Sequence, residues 1–155
     1  LGVENLIIIE TADCVLVANR NNTQSIKDLV KVLEKKHKSL LSDHNRVNRP
    51  WGWFETLEES NNFKVKRIQI DPGKSISLQR HHKRSEHWVV VKGKASITKE
   101  HKKFNLAVNQ STFIEKNQIH QIANNFSETL QVIEVQSGVY LGEDDIERLE
   151  DKYGR

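Results

Sequence analysis

The chain has 155 residues, 36% hydrophobic and 29% charged, which suits one domain of ordinary size with a short appendage and excludes two average domains. No apolar run approaches the roughly 20 residues of a membrane-crossing helix, and the start lacks the basic-then-apolar pattern of a signal peptide, so no membrane partner is expected. A single cysteine, Cys14, excludes an internal disulfide framework and a multi-cysteine zinc site, and a reducing, cytoplasmic setting is the natural expectation. The net charge is +3, but the basic residues are scattered. Their one tight cluster, Lys35, Lys36 and Lys38, reads as the solvated side of a helix, so nucleic acid is not an expected partner. The sequence contains no Met and starts at Leu1, and it reads as a piece of a longer chain.

In chain order, residues 1–41 read as strand, strand and helix. Two β-branched runs, 6–9 and 14–18, flank a turn around Thr11-Ala12-Asp13. Asn22 or Thr23 then caps a helix whose apolar stripe is Ile26, Leu29, Val30 and Leu33. Two strands and a helix of this size do not close a core alone, so they are expected to dock on the rest of the chain or on a neighbour, a second copy included. Residues 42–50 are polar and read as a linker. Beyond it, short runs with period-two alternation recur at 64–70, 76–81, 87–91, 95–98, 104–108, 111–114, 120–123 and 130–135. Turn-formers such as Asp71-Pro72-Gly73 and Lys92-Gly93-Lys94 separate several of them. Many short strands at this spacing predict a mainly β domain, a sandwich or barrel of jelly-roll type. The acidic start of 142–151 predicts a short C-terminal helix, with Asp144 and Asp145 as its caps.

Four polar side chains interrupt this pattern. Gln79 and His81 lie two apart on one strand and leave the same face. Glu86 follows a short polar turn and is expected on the neighbouring strand, facing the same space. His120 opens another strand far downstream. Together they offer two imidazole nitrogens, a carboxylate oxygen and an amide oxygen, a set that holds a divalent cation such as zinc, manganese, cobalt, nickel or ferrous iron. A lone strand histidine is more often a surface or hydrogen-bonded residue, so spacing alone does not decide the matter. The imidazoles bind in neutral form, so metal affinity is expected to fall below pH about 6.5.

The string Gly73-x5-Gln79-x-His81-x4-Glu86-x6-Gly93 resembles the first motif of the cupin superfamily, and His120-x3-Asn124 resembles the end of the second. Gln79 stands where most cupins place a first histidine, and Glu115 and Asn117 stand where Pro and Gly are common. A narrower resemblance follows from longer strings: Arg49-Pro50-Trp51-Gly52, Ser77-Leu78-Gln79-x-His81-x-x-Arg84-x-Glu86-His87-Trp88, Ile133-Glu134-Val135-Gln136-x-Gly138, Tyr140-Leu141-Gly142-Glu143-Asp144-Asp145-Ile146 and Asp151-x-Tyr153-Gly154-Arg155. These resemble the type II phosphomannose isomerase domain, the C-terminal part of bifunctional mannose-1-phosphate guanylyltransferase/mannose-6-phosphate isomerases. Residues 1–35 are similar, more weakly, to the last strands and helix of the guanylyltransferase part.

The resemblance implies a cupin-type jelly-roll barrel over 51–155, a nucleotidyltransferase remnant over 1–41, and metal-dependent interconversion of mannose 6-phosphate and fructose 6-phosphate. It implies a metal, zinc first, on Gln79, His81, Glu86 and His120. Glu134 alternates with Val132 and Gln136 and is the candidate base, with an outward-facing strand carboxylate as the alternative. His82 and His87 have the opposite parity to the ligands and are expected outside the pocket, whereas Trp88 and Val90 are expected to pack. Arg84, in the turn between the ligand strands, is the first candidate for the substrate phosphate, ahead of Lys83 and Arg148. A sugar phosphate and an N-terminal guanylyltransferase domain are the implied partners, with a homodimer as a further option. Two other classes remain at this point: a non-catalytic cupin that binds a sugar phosphate or sugar nucleotide, and a non-haem iron oxygenase using His81, Glu86 and His120, against which Gln79 argues as a fourth ligand.

Overall fold

The computed structural model describes residues 1–10, 15–36 and 46–154, which divide into two compact units, Leu1–Arg46 and Val47–Arg155. The expected turn at Thr11-Ala12-Asp13, Cys14, Lys38, the first part of the linker and Arg155 fall outside the described residues.

In the first unit, β1 (Leu6–Glu10) and β2 (Val15–Asn19) form an antiparallel ladder running from Leu6 opposite Asn19 to Glu10 opposite Val15. A 3-10 turn, Arg20–Asn22, follows, and the Asn19 side chain accepts from the Asn21 N–H at 2.9 Å. Helix α1 begins at Ser25 and runs to Lys36. Asn22 therefore ends the 3-10 turn instead of capping the helix.

The second unit is a sandwich of two sheets. One has the order β10-β7-β12-β5-β4-β3 and the other β13-β6-β11-β8-β9. The strands are β3 (Arg46–Arg49), β4 (Gly52–Glu59), β5 (Phe63–Ile70), β6 (Leu78–His81), β7 (Arg84–Lys92), β8 (Ala95–Lys99), β9 (Lys102–Leu106), β10 (Ser111–Ile114), β11 (His120–Ala123), β12 (Leu130–Gly138) and β13 (Ile146–Glu150). Each expected run from 64 onward contains a strand, and apart from the consecutive pairs β3-β4, β4-β5 and β8-β9 the neighbours in each sheet are not consecutive in sequence, as in a jelly roll. Strand β4 has no counterpart among the expected runs. Its last three residues are exposed and its alternation is broken by a register shift between Thr56 and Glu58. Residues 46–49, expected within a linker, form the edge strand β3.

The C-terminal helix expected over 142–151 is not formed. Glu143–Asp145 makes one 3-10 turn, and Ile146–Glu150 becomes strand β13, paired antiparallel with β6. The physical reason lies at β6, whose edge would otherwise present unpaired backbone groups. Asp144 and Asp145 are not helix caps either. Asp145 accepts from the backbone N–H groups of His82 and Lys83, at 3.3 and 3.1 Å, and so pins the β6–β7 turn. Asp144 accepts from the Tyr140 hydroxyl at 2.6 Å.

The interior is sorted along the strands. On β12 the inward side chains are Leu130, Val132, Glu134 and Gln136; on β7 they are Val90, Trp88, Glu86 and Arg84; on β5 they are Ile70, Ile68 and Lys66. The register sets Val132 beside Val90 and Ile68, and Glu134 beside Trp88 and Lys66. One end of the sandwich is therefore an apolar core, completed by Trp51, Ile76, Ala95, Ile97, Leu106, Ile114 and Ile122, with Phe54, Phe104 and Tyr153 packed against it. The other end is buried and polar.

Candidate metal centre

The polar end draws on both sheets. Strand β6 points Gln79 and His81 inward, and β11 sets His120 directly opposite Gln79. Glu86 arrives from β7, which belongs to the facing sheet and is not the neighbour of β6 expected from the sequence. The result still brings the acid to the same space. His81, Glu86 and His120 are each at most 2% exposed and offer ligand atoms that lie within 4.8 Å of one another. His81 Nε2 is 3.1 Å from Glu86 Oε1, and His120 Nε2 is 3.7 Å from Glu86 Oε2. The two imidazole rings lie 5.0 Å apart, and the Trp88 ring meets His120 edge-on at 5.4 Å.

The residues present fit a divalent cation. The Nδ1–H of His120 donates to the Gln118 carbonyl at 2.8 Å, which leaves its Nε2 as a lone pair directed into the site. That nitrogen is buried without a hydrogen-bond partner, an arrangement that otherwise costs free energy. Burial lowers the pKa of His120 despite the opposing charge of Glu86, so the ring stays neutral and ready to ligate. Burial alone would raise the Glu86 carboxyl, but the His81 hydrogen bond and the neighbouring His81, His120 and Arg84 hold it well below the usual carboxylate range. Gln79 stands beside His81, with its Nε2 3.4 Å from His81 Nε2 and its Oε1 accepting from the Ser77 hydroxyl at 2.8 Å. A half-turn of this amide would direct the oxygen to the site and let Nε2 donate to Ser77, so a ligand role for Gln79 needs that orientation.

Behind the three donors lies a hydrogen-bonded carboxylate pair. Trp88 Nε1 donates to Glu86 Oε2 at 3.2 Å and to Glu134 Oε2 at 2.9 Å. Gln136 Nε2 donates to Glu86 Oε1 at 3.1 Å and to Glu134 Oε1 at 2.9 Å. Glu134 is thus inward-facing and buried. Burial, with the adjacent Glu86 charge, pushes its pKa up to about 8. Arg84 is 2% exposed and donates to Glu86 Oε1 at 3.2 Å and to the Gly142 carbonyl at 2.8 Å.

A cavity of about 60 Å³ opens against this cluster, and Gln79, Arg84, Glu86, Glu134 and Arg148 all line it. Lys83 does not: its ammonium sits over the Tyr140 ring, 4.7 Å from the centroid, beside a separate groove. His82 and His87 lie outside, His82 on Asn117 and Glu147 and His87 edge-on to Phe113. Sequence reasoning missed the polar roles of Trp88 and Gln136, and it missed Lys66 and Arg49, which also line the cavity. The inward parity of Glu134 would have carried Gln136 with it, and the step of two from Ile68 would have found Lys66. For Arg49 alternation gave no signal, because its strand is recognised only through its place in the sheet, and the Arg49-Pro50-Trp51-Gly52 string was the one pointer to it.

A family model described as mannose-6-phosphate isomerase C-terminal matches residues 36–151, and one described as MannoseP isomerase/GMP-like beta-helix domain matches residues 1–33. Among curated relatives, the alginate biosynthesis protein AlgA of Pseudomonas aeruginosa is 46% identical over the whole chain, which covers 32% of that relative. The xanthan biosynthesis protein XanB of Xanthomonas campestris pv. campestris and a mannose-1-phosphate guanylyltransferase of Klebsiella pneumoniae are each 44% identical over the whole chain, which covers 33% of each. The chain thus spans about a third of the length of these relatives. Two solved structures share the fold. KdgF from Halomonas sp. has a TM-score of 0.58 at 15% identity, over 62% of this chain and 89% of that one. A double-stranded β-helix protein from Klebsiella pneumoniae scores 0.57 at 18% identity, over 71% of this chain and 89% of that one. The jelly roll, the buried donor cluster and the match over most of its length agree, and the chain belongs to the mannose-6-phosphate isomerase C-terminal family.

Proposed function

We propose that this chain interconverts mannose 6-phosphate and fructose 6-phosphate with a bound divalent metal, as the C-terminal part of an enzyme whose N-terminal part is a mannose-1-phosphate guanylyltransferase. The observation that carries the reading is the convergence of His81, Glu86 and His120 from two facing sheets on one buried point, in a chain of this family. A divalent ion held by these residues supplies a Lewis acid for the negative charge that develops on the sugar oxygens. Zinc suits the two nitrogens and one carboxylate, and manganese, cobalt, nickel and ferrous iron are accommodated by the same donors.

The conversion of an open-chain aldose to a ketose removes a proton from C2 and delivers one to C1, while a hydroxyl proton passes from O2 to O1. Glu134 is the candidate for the carbon proton, because its carboxyl lines the cavity and its pKa lies near the working range of a general acid–base. Trp88 and Gln136 hold its two oxygens in place. Arg84 orients Glu86 and keeps its charge against the cavity wall. The wall of Trp51, Phe54 and Ile68 excludes water from one side.

The test is metal analysis of the purified chain with a mannose 6-phosphate assay, on wild type and His81→Ala. The wild type is expected to hold one metal per chain and to turn over, and the variant to lose both. Metal release on acidification is expected with a midpoint below 6.5, since burial already disfavours the charged form of His120. Stoichiometric metal with no turnover would favour a non-catalytic sugar-phosphate-binding cupin.

A further inference from the structure

The cavity beside the metal centre carries an excess of positive charge, and that excess is unevenly engaged. Four cationic side chains line it, Arg49, Lys66, Arg84 and Arg148, against the carboxylates of Glu86, Glu134 and Glu143. Two of the cations are taken. Lys66 is buried on β5 and pairs with Glu143. Arg84 is buried on β7 and divides its donors between Glu86 and the Gly142 carbonyl. Arg49 and Arg148 have no carboxylate partner among the described residues.

These two free guanidiniums come from different sheets. Arg49 ends β3, at the edge of the six-stranded sheet, and Arg148 lies on β13, at the edge of the five-stranded one. In register, Arg148 stands opposite Gln79, which ties it to the strand that carries the metal-site side chains. Arg49 lies over the Phe54 ring, 5.3 Å from the centroid, and spends one donor on the Asn48 carbonyl at 3.3 Å. Its other N–H groups remain free for a ligand.

We infer that Arg49 and Arg148 together hold the phosphate group of the substrate, one guanidinium from each sheet. The inference deepens the isomerase reading and rests on it for the identity of the ligand. A phosphate monoester carries nearly two negative charges at neutral pH and accepts paired N–H donors, which is what two unpaired guanidiniums supply. Arg84, the first residue of β7, then serves Glu86, and its bonds to Glu86 and the Gly142 carbonyl account for its presence without a phosphate contact.

The experiment is calorimetric titration of the full chain with mannose 6-phosphate and with inorganic phosphate at constant ionic strength. The proteins are wild type, Arg49→Gln, Arg148→Gln, Arg49→Lys and Arg148→Lys, with Lys103→Gln as a control for loss of charge away from the cavity. Each glutamine variant is expected to raise Kd for both probes by about 10-fold, with partial recovery in the lysine variants and no change in the control. In the isomerase assay the same glutamine variants raise KM and spare kcat, a split that loss of structure would not produce. Unchanged phosphate binding in both glutamine variants overturns the inference, as does a wild-type chain that binds neither probe. Arginine-dependent phosphate binding in a chain that does not isomerise would uphold the clamp and count against the isomerase reading alone.

Discussion

Glu134 and Glu86 are two carboxylates in one hydrogen-bonded group, and their environments push them apart. Glu86 is surrounded by His81, His120 and Arg84 and stays ionised. Glu134 faces burial and the charge of Glu86, and its pKa is raised to about 8. This division assigns one to holding a cation and the other to holding a proton. Glu134→Gln keeps the shape and removes the proton exchange. It is expected to lower kcat by roughly 100-fold to 10,000-fold while metal content and phosphate binding are retained. Steady-state kinetics with metal analysis checks this, and a variant with wild-type kcat would remove Glu134 from the chemistry. Because the pair shares Trp88 and Gln136 as donors, the effects of Glu86 and Glu134 substitutions are expected to be non-additive.

Strand β13 is the element that changes the account of the C-terminal region. It closes the edge of β6 and carries Arg148 to the cavity. Its outer face is tied down by Glu147, which accepts from Arg80 at 2.7 and 2.9 Å and lies 2.8 Å from His82 Nε2. Those hydrogen bonds lower the Glu147 pKa from 4.5 to about 2. A carboxylate with a depressed folded-state pKa contributes stability that is present above 4.5 and is lost as pH falls through about 2. Thermal melts of wild type and Glu147→Gln from pH 6 down to about 2 are expected to show a gap that is open at the upper end and closes at the lower. The gap should be small, because the group is solvent-exposed and screened. A constant gap across that range would show that Glu147 does not stabilise β13 through its charge.

The turn from β3 into β4, at the edge of the other sheet, shows how a local motif serves the fold. Gly52 has φ +140°, and a Cβ there would lie 2.1 Å from the Gln69 carbonyl oxygen, so the turn from β3 into β4 admits only glycine. This places Arg49 and Trp51 at the cavity edge, and it gives the Arg49-Pro50-Trp51-Gly52 string a structural reason.

At the scale of the molecule, the described residues form two units, each with its own internal contacts, and among them every side chain of the buried hydrophobic core comes from residue 51 onward. Burial in that core is what stabilises the sandwich, since each fully buried Ile, Leu or Val contributes on the order of 1.5–3 kcal/mol. A chain beginning at Arg46 is therefore expected to unfold in one cooperative transition and to keep the metal stoichiometry of the whole. Calorimetry and metal analysis of residues 46–155 test this. Loss of the transition would mean that residues 1–45 are required for the sandwich to fold. No helix among the described residues is long and apolar enough to cross a membrane.

Alternation was enough to read eight of the strands, the inward faces of β6 and β7, and therefore Gln79, His81 and Glu86 as one group, because a period of two is a local property of the chain. The sequence strings also determined the family. What tertiary structure decided was non-local. It set Glu86 on the sheet opposite His81, turned 146–150 from an expected helix into the partner of β6, and drew Arg49 from an expected linker into the cavity wall. Each of these depends on which backbone edge is left to be paired. That is settled only when distant strands meet, because an unpaired edge costs free energy wherever in the sequence its partner is found.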